Sequence, residues 1–486
     1  MHLAKSRLEP WLVAAFTLIF IFVSAYLGYR EKYFIYVVPV VLLIGFLVLF
    51  APQKLFFALV FLAPLSITLR FLVPNLPFDF WFPTEPILVF LLVILIAKSL
   101  KERYFQSDIK DHPLFWAIIF FLGWIFITAS TSEMVLVSIK YFLVRFWFIG
   151  VFFYLAFILF RQDQRNINRF LWAYILGLLV VVLFAFVKQA GFGFLNQRAA
   201  HGASAPFFID HTSYGAALAF SIPVLTVFAY HAKTAWKKFM YWSLTLLFLT
   251  ALIFSYSRAA WLSLMLAFGV WVLVALRIKF RTVAIAGSVV AILLFFFMGD
   301  IIRNMEKNTT ESSGDLMEHV RSIYNIKTDA SNMERVNRWN AAIEMFKERP
   351  VFGWGPGTYM FLYAPFQRSY DKTVISTNFG TGGNAHSEYL GLMAEAGILG
   401  ALGYILILVL TLVVGFRGIS KIEDKQYRRI NIACIMGLIT YIAHGFLNNF
   451  LDADKIAAPF WGFIAIIVAL NIPKRHTEAK AEKELG

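Results

Sequence analysis

A single cysteine, Cys434, stands among 486 residues, and it lies inside an apolar run. That excludes an intramolecular disulfide framework and a multi-cysteine metal site. Charge is scarce as well: Asp, Glu, Lys and Arg make up 15% of the chain, against 60% hydrophobic and 18% aromatic residues. So little polar surface excludes an ordinary soluble protein of two or three water-facing domains. There is no internal repeat, no low-complexity tract and no inverted pair of broken helices of the kind that marks many transporters. The first apolar run, residues 11–28, is long and lacks a small-residue cleavage site, so it reads as a membrane span and not as a cleaved signal peptide. A net charge of +15 points to nucleic acid only when a folded basic surface carries it, and the sequence holds no such domain.

What the chain does have is a succession of apolar runs, each near the ~20 residues that cross roughly 30 Å of hydrocarbon. They predict an all-α polytopic membrane protein of about 12–14 transmembrane helices, with one large outward-facing loop containing short helices. Fourteen spans are read near 11–29, 33–50, 54–73, 84–98, 113–130, 139–160, 169–190, 212–231, 238–255, 258–277, 281–299, 387–415, 430–450 and 456–472. Alternate loops gather Lys and Arg, among them Lys98, Lys101 and Arg103, then Arg161, Arg165 and Arg169, then Arg417, Lys421, Lys425 and Arg428. Basic loops stay cytoplasmic. The expected organisation is therefore residues 1–299 as the first eleven spans, 300–386 as an extracytoplasmic, periplasmic loop, 387–472 as the last three spans and 473–486 as a cytoplasmic tail.

The long loop is where chemistry on polar substrates belongs. Its stretch 331–347 predicts an amphipathic helix with Val336, Trp339, Ile343 and Phe346 on one face, ended by Pro350. Arg335 falls at the edge of that stripe, either a solvated charge or one held at the membrane surface, and Arg338 points further from it. Gly353-Trp354-Gly355-Pro356-Gly357 lacks the Lys-Ser/Thr ending of a phosphate-binding loop and reads as a tight turn.

His386 closes the loop at the entry of an apolar helix. It is either a base for a sugar hydroxyl, with an ordinary pKa of about 6.5, or a partner of loop backbone. His201, His211 and His444 share that outer side, and Glu388 and Asp210 are the carboxylate alternatives. Arg70, Lys140, Arg145, Lys188 and Arg258 sit at outer ends of spans against the positive-inside bias, where they snorkel, pair or bind an anion. Asp452-Ala453-Asp454, beside Lys455, reads as a solvated turn or as a carboxylate pair for a divalent ion.

Three segments resemble one family, the O-antigen ligases and related polymerases. Ser257-Arg258-Ala259-Ala260-Trp261 is similar to their Ser-Arg-Gly/Ala signature. Arg335 with Trp339, followed by Pro350, Gly353, Gly355 and Gly357, is similar to their R-x-x-x-W…P-x-x-G-x-G-x-G region. His386-Ser387-Glu388-Tyr389-Leu390…Glu395-Ala396-Gly397-Ile398-Leu399-Gly400 is similar to H-N-x-x-L…E-x-G-x-x-G, with Ser387 where Asn is common. The motifs run from Arg258 to Gly400 inside a ligase-related region of residues 240–415, with an echo at Phe208-Ile209-Asp210-His211.

The resemblance implies transfer of a glycan from an undecaprenyl-diphosphate carrier to an acceptor hydroxyl at the outer face of the bacterial cytoplasmic membrane. The acceptor would be lipid A-core, a growing polysaccharide or a protein. No nucleotide sugar, cofactor, metal ion or nucleic acid is implied. Carried over by position, His386 would be the general base, and Arg258 and Arg335 would bind the diphosphate. Arg338, Glu388, Arg145, Lys188 and His211 are further candidates. The reading from a different class is a flippase or transporter for lipid-linked glycans, which has no need of a histidine beside a structured loop.

Overall fold

In hydrocarbon the backbone amides have no partner but one another, so apolar runs close into helices. The computed structural model describes residues 10–30, 50–72, 80–102, 107–278, 330–369 and 383–473, with a few single residues between these stretches. Residues 1–56 and 57–486 form two compact units. The first unit holds α1 (Pro10–Tyr29) and the start of α2 (Pro52–Leu62). In the second unit α3 (Thr84–Glu102), α4 (Pro113–Ser130), α5 (Val135–Gln162), α6 (Arg165–Ala190), α7 (His211–His231), α8 (Ala235–Phe254) and α9 (Arg258–Ala275) precede the loop helix α10 (Ala330–Glu348). Then come α11 (Glu388–Lys421), α12 (Lys425–His444) and α13 (Asp454–Asn471).

Among the described residues, eight helices are long and apolar enough to cross a membrane: α4 to α9, α11 and α13. The chain is an all-α, multi-pass membrane protein. The expected span at 33–50 and most of that at 281–299 lie outside the described residues. The run at 54–73 is not one helix. It breaks after Leu62 into a tight turn holding Pro64 and a strand, β1 (Ile67–Thr68), which pairs antiparallel with β2 (Trp81–Phe82). Proline can open a helical turn but cannot continue the bonding ladder, so the apolar composition misled the reading of a single span.

The innermost helix is α13. Every residue from Asp454 to Ala469 is buried, and α5, α7, α11 and α12 all pack on it. Lipid tails are as apolar as leucine, so contact in such a bundle rests on close fit. Gly462 leaves the space that the Phe170 ring occupies, and Phe220 meets Phe463 edge-on at 5.5 Å and stacks on Tyr441 at 5.5 Å. Outward-facing Trp236, Phe239, Leu246, Met265 and Phe268 on α8 and α9 are exposed, as a lipid-facing surface requires.

At its first turn α13 carries a buried ion pair, Lys455 with Asp454 at 3.6 Å. Lys455 Nζ donates to Ser66 O at 2.7 Å and lies 3.9 Å from the Trp81 ring, tying the hairpin to the core. The solvated turn expected at 452–454 is therefore half wrong: Asp454 is fully buried, while Asp452 keeps a partly exposed carboxylate. An aspartate beside a lysine looks like surface, and the groups that let the pair be buried, Thr84 for the carboxylate and Ser66 for the ammonium, arrive from distant parts of the chain.

Candidate functional site

Helix direction alternates so that the Lys/Arg-rich loops share one end of the bundle. There Arg161 donates to Ile472 O at 2.8 Å and Arg429 meets His231 at 2.8 Å. The three family segments gather at the opposite end, held by a scaffold of glycines. Gly353, Gly355 and Gly357 have φ of 69°, 112° and 76°, conformations that side chains with a Cβ resist. The turn they make docks on α11: Trp354 N–H donates to Ala394 O at 3.0 Å and Gly355 N–H to Glu395 O at 2.8 Å. The Glu395 carboxylate accepts the Tyr359 N–H at 2.9 Å and also the Gly357 N–H. Gly397, at φ 68°, kinks α11 where the chain of Val351 passes. The second and third motifs are thus halves of one joint, and the expected tight turn is present.

Helix α10 lies over this joint, but not on the face its apolar stripe suggests. Its buried residues are Glu334, Val336, Asn337, Arg338, Ala341, Ala342 and Met345, while Trp339, Ile343 and Phe346 are only half-buried. Arg338, expected to point away from the packed stripe, is instead buried, pairs with Glu334 at 2.6 Å and lies 4.2 Å from the Tyr363 ring. Burial pushes the Glu334 carboxyl up, but the hydrogen bonds from Ser376 and Arg338 and the Arg338 charge bring it below the usual carboxylate value.

Arg335 stays half-buried and reaches across to donate from Nε to Leu447 O at 3.4 Å. Trp339 Nε1 donates to His386 O at 3.2 Å, so α10 holds the histidine's own backbone. His386 has φ 48°, in the left-handed region, with its N–H on Asn384 Oδ1 at 3.0 Å. Ser387 then caps α11, its hydroxyl accepting the Leu390 N–H. Burial, helped by the Arg335 and Arg338 charges, lowers the His386 imidazole to about 4. A side-chain bond from Asn448 and the Asp210 charge work the other way. Nδ1 of His386 is buried without a hydrogen-bond partner.

Arg258 opens α9 behind Ser257, whose hydroxyl is buried and unpartnered. Beside it His201, in the one-turn helix Gln197–His201, is lowered by burial and by Arg258 and raised by Asp210. The His201 and His211 rings meet edge-on at 4.0 Å, and His211 lies 3.5 Å from Asp210, which caps α7. Asp210 therefore faces both this pair and His386. His444 Nε2 is 3.1 Å from Asn448 Nδ2. Arg258, Arg335, His386, His211, His201 and His444 thus converge, with Arg338 at the edge.

Three candidates stand apart. Lys188 donates to Gly202 O at 2.8 Å and Ala205 O at 3.0 Å, securing the loop before α7. Arg145 is buried in α5 between Asp452 at 2.8 Å, Tyr141 at 2.6 Å and Glu388 at 3.9 Å. Glu388 in turn accepts the N–H groups of Phe450 at 2.8 Å and Leu451 at 3.0 Å, ordering the 445–453 connection. Asn448 was not singled out from the sequence. It sits in that connection, with no motif around it, and only the fold brings it to His386.

The fold and this end of the bundle define a multi-pass α-helical membrane protein with a histidine- and arginine-lined site. Residues 243–405 match the family model described as O-Antigen ligase, and across that stretch the chain is similar to the O-antigen ligases. The matched stretch contains Arg258, Arg335, His386 and Glu395. No curated protein matches the chain.

Proposed function

We propose that this protein transfers a glycan from an undecaprenyl-diphosphate carrier to an acceptor hydroxyl at the outer face of a bacterial cytoplasmic membrane. The observation that carries the reading is the meeting of Arg258, Arg335 and a half-buried His386 from three distant segments, with burial and the arginines favouring the neutral imidazole. Arg258 at the head of a helix suits the diphosphate twice over, through its guanidinium and through the positive end of the helix dipole. In one step the acceptor O–H gives its proton to His386 Nδ1 and its oxygen bonds the anomeric carbon. The bond from that carbon to the phosphate oxygen breaks, and undecaprenyl diphosphate leaves with the electron pair, inverting the centre. The leaving group is already a stable anion, so the arginines need only hold its charge, and neither a protonating acid nor a metal ion is called for.

The test is purified protein in lipid nanodiscs with a synthetic lipid-diphosphate glycan and an acceptor. A new glycosidic bond forms, and it still forms after exhaustive chelation. His386→Ala keeps donor binding and loses about two to four decades in transfer. Arg258→Ala and Arg335→Ala lose about two to three decades, the equivalent of roughly 2–4 kcal/mol of transition-state stabilisation. Movement of the intact donor across the membrane with no new bond would make the protein a flippase instead.

A further inference from the structure

The segment that delivers His386 has two sides. His386 faces the arginines, whereas Asn384 and Ala385 line a separate cavity of about 520 Å3. That volume is within the range of small-molecule sites, about 300–1,000 Å3. Phe80, Trp81, Tyr141, Tyr359 and Phe361 supply aromatic surface to it. Asn384 and Asn449 add amide groups, and Asn449 Oδ1 is buried without a hydrogen-bond partner. Ring faces with interspersed amides and carboxylates fit a sugar, which presents an apolar C–H face and a rim of hydroxyls.

The charges decide which sugar. Among the described residues the lining has Glu85, Glu395 and Asp452 against Lys140. Arg145, behind Tyr141, pairs with Asp452 at 2.8 Å, which leaves Glu85 and Glu395 against Lys140. A phosphorylated ligand would meet carboxylates there without a surplus of cations, the reverse of the compartment around Arg258 and Arg335.

We propose that this cavity seats the acceptor, an uncharged sugar unit whose hydroxyl reaches His386 past Asn384 and Ala385. The proposal rests on the glycan-transfer reading and gives it an acceptor class. Donor and acceptor then approach His386 from opposite sides of one segment, each in a compartment of matching charge.

The test uses the full chain in lipid nanodiscs, with a diazirine-bearing neutral disaccharide and its 6-phosphate as probes and mapping of the crosslinked residues. The neutral probe is expected to label residues 80–85, 137–144 or 357–361, and the phosphate to label them weakly. Val137→Trp and Met360→Trp, two independent fillings of the cavity, should each cut that labelling and raise the acceptor KM by about tenfold or more, with donor KM unchanged. A variant that no longer binds the synthetic donor is set aside as misfolded, and the other decides. Labelling elsewhere, equal labelling by the phosphate, or labelling that both fillings leave intact overturns the proposal. If that happens while His386→Ala still abolishes transfer, the glycan-transfer reading stands alone. If the cavity labels as expected but His386→Ala transfers normally, that reading fails and the sugar site remains.

Discussion

At His386 the chemistry turns on which ring nitrogen carries the proton. Asn448 beside the ring raises the imidazole against the larger effect of burial, while its Nδ2 lies 3.1 Å from His444 Nε2. An Nε2–H donated to the Asn448 amide oxygen would leave the lone pair on Nδ1, which is buried without a hydrogen-bond partner. Only the neutral ring can take a proton, and with the group lowered to about 4 it stays neutral from neutral pH down to that value. The acid limb of the transfer rate should therefore fall near pH 4, well below the ordinary histidine value. Asn448→Asp places a carboxylate against the same N–H, favours the protonated ring and should move the limb upward by roughly one to three pH units. A parent limb near pH 6.5, or no upward movement in the variant, would remove Asn448 from this role. The histidine itself was legible, because it stands in a spaced signature. Asn448 was not, because its 62-residue separation from His386 erases any local pattern.

At the scale of elements, α10 shows where periodicity succeeds and where it stops. The helix lies where the spacing of Val336, Trp339, Ile343 and Phe346 puts it. The face that packs is a different one, lined by Ala341, Ala342 and a buried arginine–glutamate pair, because small side chains let the helix approach the glycine joint. Arg338→Ala would strand Glu334 in that interface and should cost about 3 kcal/mol. Gly397→Ala meets two penalties, a left-handed φ and a Cβ aimed at the Val351 carbonyl, and should cost about 2 kcal/mol or more. Thermal unfolding in detergent reads both, and a melting temperature equal to the parent's for either variant would contradict the packing described. The glycine motif was legible as a turn. Its partner Glu395, 38 residues beyond Gly357, was legible only as part of a family signature, since nothing in the spacing says that the two close on each other.

For the whole molecule, hydropathy delivered most helices and the class of protein, and it failed where composition was apolar but the chain turned, at Pro64. The Lys/Arg alternation agrees with the two-ended arrangement of the described loops, and it makes the sidedness testable. A reporter active only outside the cytoplasm should work when fused within residues 305–380 and fail within 98–112 or 417–429; the reverse pattern would invert the assignment. Buried polar contacts were the least legible at this scale: Lys455, Ser66 and Thr84 meet from segments nearly 400 residues apart. The position of α13 has a consequence for how the molecule is made. Synthesis proceeds from the N-terminus, and domains ordinarily gain structure in that order. Here the helix that every neighbour leans on leaves the ribosome after all of those neighbours, so α5, α7, α11 and α12 must wait in the bilayer around a vacant slot. During that interval Ser66 and Thr84 have no Lys455 or Asp454 to bond, so the polar contacts that tie the hairpin to the core can form only once α13 has inserted.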